Sequence, residues 1–260
     1  MPVPPPSPVF VPMDPRIRRR RIEVQRRAGR RRLRVVVGVL AMLALTAGGW
    51  LAVRSPLLDV DRVEVQGASH TARADVLRTA RLRRGMAMVE VDGAGAARRL
   101  EALPWVAHAR VRRSWPSTVL VAVDERAAKA VTSADGREWA VLDADGRVLE
   151  VRDARPPGLV AVEGVGRAGP PGSTLAGAAG PLQLVGALSP ALAARADAVV
   201  ALQGGEVALR LRPSGTVRFG PPVDLMAKER AAETVLAQVD ASGLDVLDVR
   251  LPSSPALTRG

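Results

Sequence analysis

A run of nineteen uncharged residues, VVVGVLAMLALTAGGWLAV at Val35–Val53, constrains this chain more than any other feature. As a helix it would be about 28 Å long, close to the ~30 Å hydrocarbon core of a bilayer. Arg34 and Arg54 bracket the run, and Trp50 lies near its far end, where an indole favours the membrane interface. A buried core helix usually carries a polar stripe, whereas this run has a single threonine. The pattern predicts a transmembrane helix over residues 35–53.

The charge distribution predicts how that helix is oriented. Residues 1–34 contain eleven arginines against Asp14 and Glu23, a net charge of +9 out of +12 for the whole chain. A strongly basic chain ordinarily indicates nucleic-acid binding, but basic residues directly before an apolar span also follow the positive-inside rule. We therefore expect a cytoplasmic N-terminus, with everything after Arg54 outside the membrane, and no nucleic-acid partner.

Two alternatives concern this N-terminal part. A cleaved signal peptide would have an apolar region of ~7–15 residues and a small-residue cleavage site, and the longer run here favours an uncleaved anchor. Residues 1–34 form a proline-rich and basic segment that we expect to be a disordered cytoplasmic tail. Its arginine runs at 16–21 and 26–32 could also bind anionic lipid or DNA.

Residues 57–125 predict a small α+β domain. Alternating apolar residues indicate strands at 60–67, 106–113 and 118–125, and two segments with one apolar face each indicate helices between the first and second strands. Ser69 or Thr71 is expected to cap the first helix and Asp92 the second. The predicted order is strand, helix, helix, strand, strand, with the helices on one side of the sheet.

Residues 126–252 predict a mostly antiparallel β domain with flanking helices. Asp135-Gly136 and Asp145-Gly146 each lie between apolar runs, a common hairpin signal. LDADG could also be a fragment of a calcium loop. A calcium loop needs a glutamate further along, and its absence here favours a turn. Residues 153–181 are rich in glycine and proline and predict a loop with one short strand. Asp224 is expected to cap a helix, and 244–251 is the last predicted strand before a C-terminal tail at 253–260.

The residues offer little for catalysis or for a metal. The chain has no cysteine, and its two histidines, His70 and His108, lie far apart in sequence. A transition-metal site would therefore depend on carboxylates, and no G-x-S-x-G nucleophile elbow occurs. We predict that the protein is not an enzyme, with no catalytic residue, no metal and no cofactor. A hydrolase ranks last among the alternatives.

Several motifs together resemble the FtsQ/DivIB family of division proteins and its POTRA domain. They are VDRVEVQG at 60–67, RGM at 84–86, the L-P-W-V…W-P…E-R run at 103–126 with Ala128, Trp139 with L-D-x-x-G-x-V at 142–148, V-x-F-G at 217–220 with Leu225 and Lys228, and D-V-R at 248–250. Two departures stand out. No family motif aligns with residues 153–181, and Leu251 replaces the aromatic residue that often follows the D-x-R.

The resemblance implies a membrane-anchored division scaffold at the division septum. It implies partners of the FtsB/DivIC and FtsL type, together with septal wall synthases, bound through the extracytoplasmic domain. A terminal strand with a free edge can accept an incoming strand. By match to the D-x-R, the expected partner-binding residues are Asp248, Val249, Arg250, Leu251, Pro252, Ser253 and Ser254, with Asp248 and Val249 in the ladder. The structural alternative is that 248–251 only closes the sheet.

Two other functions remain open at this point. POTRA domains also precede outer-membrane barrels and secretion channels, so the chain could be a component of a transport or assembly system. It could also be a membrane-tethered protein that binds DNA or lipid through residues 16–34.

Overall fold

A computed structural model describes residues 33–50, 58–239 and 243–259. The chain divides into two units, residues 1–59 and 60–260. The first contains helix α1 (Leu33–Trp50), which is long and apolar enough to cross a membrane and fits a single-pass membrane protein. Residues 51–53 of the predicted span and 1–32 of the predicted tail lie outside the described residues.

The second unit begins with a three-stranded sheet that has two helices on one face. Strand β3 is central, parallel to β1 and antiparallel to β2, so the predicted strand, helix, helix, strand, strand order is confirmed. Valines at alternate positions of β3, such as Val119 and Val121, are fully buried under the helices with Leu100 and Met88. The elements are β1 (Arg62–Gln66), α2 (Arg73–Ala80), α3 (Gly93–Glu101), β2 (Val106–Ser114) and β3 (Thr118–Glu125).

The two helices of this part start differently. Asp92 caps α3, because its side chain accepts a hydrogen bond from the Gly95 N–H at 2.9 Å, as predicted. The predicted cap of α2 is wrong: Ala72 is the N-cap residue and gives no side-chain hydrogen bond. The Ser69 hydroxyl instead donates to the Glu125 carboxylate at the end of β3, over 2.6 Å.

The rest of the second unit is built on a nine-stranded sheet with the order β12-β11-β10-β9-β8-β7-β4-β5-β6. Among the described residues, five neighbouring pairs of strands are antiparallel and three are parallel. The strands are β4 (Ala130–Ser133), β5 (Trp139–Leu142), β6 (Val148–Arg152), β7 (Val160–Glu163), β8 (Ala196–Ala201), β9 (Val207–Leu211), β10 (Thr216–Gly220), β11 (Leu244–Asp248) and β12 (Ala256–Arg259).

Both predicted hairpins occur, between β4 and β5 and between β5 and β6. In the second, Gly146 takes a φ of +81°, which a residue with a side chain adopts only at a cost. The Asp143 carboxylate accepts hydrogen bonds from the backbone N–H groups of Asp145 and Arg147 at 2.9 and 2.8 Å. The carboxylate that a calcium loop would need is therefore engaged in holding a turn.

Helices α4 (Ala179–Ala187), α5 (Pro190–Arg195) and α6 (Leu225–Gln238) accompany the sheet. Ser189 caps α5, since its hydroxyl accepts from the Leu192 N–H at 3.3 Å. Asp224 is the residue immediately before α6, as predicted. Its backbone is in the left-handed conformation (φ 52°), and its side chain makes no capping hydrogen bond. Phe219 and Leu247 are fully buried in the core between these helices and strands β8–β11.

The glycine- and proline-rich segment 153–181, predicted to be a loop with one short strand, contains strand β7 and also the first three residues of α4, and the remainder runs as a loop along the β5–β6 hairpin. The Gly172 N–H donates to the Val148 carbonyl at 2.7 Å, and the Leu175 N–H donates to the Gly146 carbonyl at 2.8 Å. These bonds attach the loop to the hairpin. The predicted domain limits, 57–125 and 126–252, stay a prediction, since both sheets belong to one unit.

Candidate partner-binding site

The segment predicted to bind a partner begins at the end of β11. Asp248 is the last residue of that strand, and Val249 is fully buried. Arg250 and Leu251 are exposed, and Leu251 is 68% accessible. Residues 252–254 form a turn in which the Ser254 N–H donates to the Leu251 carbonyl at 3.0 Å. The segment therefore forms a turn at the end of a strand.

The free edge of the sheet differs from the expected one. The predicted strand 244–251 ends at Asp248, and residues 256–259, expected to be tail, return as strand β12. Strand β11 is paired on one side with β10 and on the other with β12, where Asp248 lies opposite Ala256. The prediction that Asp248 and Val249 offer a free ladder is wrong for this reason. The strand at this edge of the sheet is β12.

Sequence reasoning missed β12 because its pattern is short. The strand has four residues directly after Pro255, and only Leu257 is turned toward the core, where it is partly buried. Ala256, Thr258 and Arg259 are exposed. One inward apolar residue in four is too weak an alternation to identify a strand, although the run lacks any residue that breaks one.

Asp248 and Arg250 form a closed ion pair beside the turn. The Arg250 Nε lies 3.1 and 2.9 Å from the two carboxylate oxygens of Asp248, and the Arg250 Nη2 lies 2.8 Å from Oδ2. The Arg250 backbone N–H also donates to Asp248 Oδ1 at 3.0 Å. The hydrogen bond from the Arg250 side chain is the main cause that lowers the pKa of Asp248. The pair fixes the chain as it leaves β11.

Two of the motifs meet at this pair. Gly220, which ends the V-x-F-G motif, has a φ of +67°, and a Cβ built on it would lie only 2.9 Å from Arg250 Cγ. The Val249 N–H donates to the Arg218 carbonyl at 3.0 Å. A glycine is needed at position 220 both for its backbone conformation and because the Arg250 stem crosses directly over it.

Large apolar side chains are exposed at the same end of the sheet. Strands β10 and β11 are parallel and end there together, and the turn between β8 and β9 lies at this end because β9 is antiparallel to β10. We call these side chains the exposed apolar group: Leu202, Val223, Met226 and Leu251, accessible to 41%, 61%, 66% and 68%. Their shared position at one end of the sheet makes this end a candidate surface for contact with another protein.

Lys228, the remaining motif residue near this end, has a structural position. The residue is only 6% accessible, and its Nζ donates to the Pro221 carbonyl at 2.9 Å. The neighbouring Glu229 is also buried and accepts from the Ser189 N–H at 3.1 Å. These two side chains tie α6 to the turn after β10 and to the start of α5.

The histidines lie outside this region. His70 stacks on Trp105 with ring centroids 4.0 Å apart, and its Nδ1 lies 2.9 Å from Glu125 Oε2. His108 is exposed on β2. Across residues 33–50, 58–239 and 243–259, no group of three or more His, Asp or Glu side chains lies close enough together to hold a metal ion.

Comparison with known proteins places these motifs in a family. The family model described as "POTRA domain, FtsQ-type" matches residues 58–126. The cell division protein FtsQ of Streptomyces collinus is 30% identical over 239 residues, which cover 88% of this chain and 89% of that protein. The FtsQ of Mycobacteroides abscessus is 30% identical over 86% of this chain and 68% of its own length. This chain belongs to the FtsQ family of cell division proteins.

Other relatives share less of their length. The cell division protein FtsQ of Caulobacter vibrioides is 32% identical over 210 residues, and the chain spans 66% of the length of that relative. The resemblance to the FtsQ/DivIB family is thus confirmed, together with the α+β fold that has one apolar N-terminal helix and a POTRA domain.

Proposed function

We propose that this chain is a non-enzymatic scaffold of the division machinery that holds membrane proteins of the FtsB/DivIC type, themselves paired with FtsL-type proteins. The observation that carries the proposal is strand β12, an exposed edge strand at the end of a nine-stranded sheet. An edge strand presents backbone N–H and C=O groups that an extended segment of another chain can pair with.

In this proposal the incoming segment adds a strand to β12 and continues over the exposed apolar group. Main-chain hydrogen bonds to residues 256–259 supply affinity, and side chains that reach Leu251 supply specificity. Apolar contacts at the centre of an interface contribute more binding free energy than the polar rim around them.

The predicted partner-binding residues take different roles. Leu251, Pro252, Ser253 and Ser254 face the partner, because they form the exposed turn that leads into β12. Asp248 and Arg250 act through their ion pair, which sets the direction of that turn. Val249 is fully buried and contributes to the core.

The placement in the cell is part of the proposal. Helix α1 anchors the chain once in the cytoplasmic membrane, with the arginine-rich N-terminus in the cytoplasm and residues after Arg54 outside. From there the scaffold links cytoplasmic division proteins to wall synthases at the septum.

Site-specific photo-crosslinking tests the β12 edge directly. A photoreactive residue replaces Thr258 on β12 in the full-length chain in cells, and in a matched control it replaces Arg152 on β6, the strand at the opposite edge of the same sheet. We expect a covalent adduct with the FtsB/DivIC-type protein at position 258 and none at 152. Adducts at 152 alone, or at both positions equally, would refute the β12 edge as the docking strand.

Imaging tests the division role itself. A fluorescent protein fused before Met1 should give a band at mid-cell that appears with constriction. Uniform membrane fluorescence throughout division, with co-purification of a barrel or channel protein, would refute the scaffold and favour a POTRA-type transport component instead.

A further inference from the structure

A cavity of about 510 Å³ lies at the other end of the sheet from the proposed partner surface. It opens where β7 and β8 begin and β9 ends, with Val160, Ala196 and Arg212 among its lining residues. The exposed apolar group lies where β8 ends and β9 begins, beside Leu202. Because these strands run from one site to the other, the cavity is separate from the proposed partner surface.

The walls of the cavity combine two arginines with small or rigid apolar residues. Prolines and alanines predominate, and among the described residues no carboxylate lines the cavity. The lining includes Arg155, Pro156, Pro157, Leu159, Pro190, Ala193 and Arg212. Its volume falls in the range of about 300–1,000 Å³ that is usual for small-molecule sites.

Arg155 is held rigidly at this wall. Its Nη2 donates to the carbonyls of Leu159 and Asp197 at 3.2 and 2.8 Å. Its guanidinium carbon lies 5.5 Å from the centre of the Trp139 ring, and its Nη1 lies 3.5 Å from Asp197 Oδ1. With these contacts its Nε–H and the second N–H of Nη1 keep no partner within the described residues.

Among the described residues, the Arg212 side chain is held only by hydrogen bonds to backbone carbonyls. Its Nη2 donates to the Ala196 carbonyl at 2.6 Å and to the Ala194 carbonyl at 3.5 Å. In the part of the chain that the structure describes, no carboxylate lies within ion-pair distance of its guanidinium. Its Nε–H and both N–H groups of Nη1 are therefore available to a ligand.

The charges around the cavity leave a positive excess. Asp197 is shared between Arg155 and Arg210, and Arg210 also binds Glu163 with its Nη1 2.8 Å from Oε2. Two arginines, Arg155 and Arg210, are thus balanced by two carboxylates, Asp197 and Glu163. The hydrogen bond from Arg210 is the main cause that lowers the pKa of Asp197, which keeps this network ionised. The unbalanced positive charge belongs to Arg212.

We propose that this cavity binds the C-terminal carboxylate of a short peptide with small apolar side chains. A guanidinium offers paired N–H groups that match the two oxygens of a carboxylate. Both guanidiniums are already immobilised by carbonyls, so binding costs little of their conformational entropy. The proline and alanine walls then take side chains of alanine size.

The test compares two peptides on the full-length chain in detergent micelles. N-acetyl-alanyl-alanine with a free carboxylate and its C-terminal amide are each titrated by calorimetry at millimolar concentration. We expect the acid to bind about tenfold more tightly than the amide, because charge-assisted hydrogen bonds are lost with the amide. The Arg212→Gln variant should lose most of this difference, whereas Arg230→Gln, which removes an exposed arginine of α6 outside the cavity, should keep it in full.

A second pair of peptides, built from D-alanine, identifies the source of the ligand. A cell-wall precursor peptide that ends in D-alanine and the C-terminus of a protein share the carboxylate but differ in the handedness of the last residues. Tighter binding of either acid than of its amide supports the site. Equal binding of acid and amide to the unaltered chain, or no heat from either acid, overturns the proposal regardless of how the Arg212 variant folds.

Discussion

Arg126 Nη1 lies 2.7 Å from Asp143 Oδ2 and so joins the residue after β3 to the turn of the β5–β6 hairpin. The Arg126 Nε also donates to the Val106 carbonyl at 3.3 Å. The side chain of Asp143 is 5% accessible and that of Arg126 22%, so water screens this pair little. The E-R and L-D-x-x-G-x-V motifs therefore meet in one contact between the two sheets.

Replacing Arg126 by Met should lower the free energy of unfolding by about 2 kcal/mol, because it leaves the Asp143 charge buried without a cation. Chemical denaturation of the full-length chain measures the loss.

Arg110→Met provides a matched control, since it removes an Arg–Asp pair of similar length, 3.1 Å, whose side chains are 62% and 53% accessible. An exposed pair contributes about 0–1 kcal/mol, so the free energy of unfolding of this variant should be close to that of the unaltered chain. Equal losses in both variants would contradict a stabilising role for the inter-sheet pair.

The sequence predicted local elements well where one face was apolar over many residues. The alternation in β3, the cap at Asp92 and both Asp-Gly hairpins are each fixed by neighbours in sequence. What could not be predicted depends on partners far along the chain. Ser69 is a good helix cap by type, but the Glu125 carboxylate, 56 residues away, takes its hydroxyl.

The candidate site shows the same limit. The D-V-R motif identified where the chain leaves the sheet, but nothing local to residues 248–251 indicates that 256–259 folds back beside them. The exposure of Val223 and Met226 depends on how β10 and β11 end together. Similarly, the cavity at Arg155 and Arg212 combines residues that are 57 positions apart in sequence.

Glu125 should make stability depend on acid pH. Its burial raises the pKa, but hydrogen bonds from the Ser69 hydroxyl, the backbone and imidazole of His70, and the Thr71 N–H outweigh burial and lower the pKa to about 2. Because the pKa of Glu125 in the folded chain is below its ordinary value of 4.5, the stabilisation is present above about pH 4.5 and is lost as the pH falls toward 2. Denaturant unfolding across this range should show the decline.

The Glu125→Gln variant should show a smaller decline over that pH range, because the amide does not titrate. A control variant, Glu90→Gln, removes an exposed carboxylate that makes no side-chain hydrogen bond among the described residues, and its pH dependence should match that of the unaltered chain. If all three proteins lose stability in parallel, another group is responsible.

Membrane orientation should depend on positive charge before α1. Five arginines lie at 16–21, and replacing all five by Gln reduces the net charge of residues 1–34 from +9 to +4. We expect a fraction of the molecules to insert with the opposite orientation. Since the chain has no cysteine, a single Ser253→Cys change lets a membrane-impermeant maleimide report the side on which the exposed turn lies.

The same five positions changed to Lys serve as the control, because they keep the charge and should keep the orientation. Loss of division activity in the Gln variant with unchanged labelling at position 253 would contradict the topological role and support binding of lipid or DNA.

Leu251 should contribute to partner affinity through its apolar surface. Replacing Leu251 by Ser should remove about 1–2 kcal/mol of binding free energy, which corresponds to roughly tenfold weaker binding of the FtsB/DivIC-type protein. Fluorescence anisotropy with the full-length chain measures the affinity. Leu120→Ser, which alters an exposed leucine on the three-stranded sheet, should leave the affinity unchanged. Equal affinity for the unaltered chain and the Leu251 variant would rule out this contact.

Gly220 should connect stability with partner binding. An alanine there would hold a φ of +67° and press its Cβ to 2.9 Å from Arg250 Cγ. The left-handed backbone costs about 1–2 kcal/mol, and the displaced Arg250 stem adds a packing cost of about 1 kcal/mol or more. Because Arg250 holds Asp248 at the end of β11, we expect Gly220→Ala to weaken partner binding as well as stability.

Gly85→Ala separates these effects. Gly85 lies between α2 and α3, away from the proposed partner surface, and has a similar φ of +75°, but nothing lies within 4 Å of its Cβ position. This variant should therefore show only the backbone cost, with partner affinity retained. Removing Arg250 in the Gly220→Ala background, as Arg250→Ala, should recover part of the lost stability because the crowding is relieved, while affinity stays low because the ion pair with Asp248 is gone. Full affinity in the double variant would mean that the direction of the turn is set without that pair.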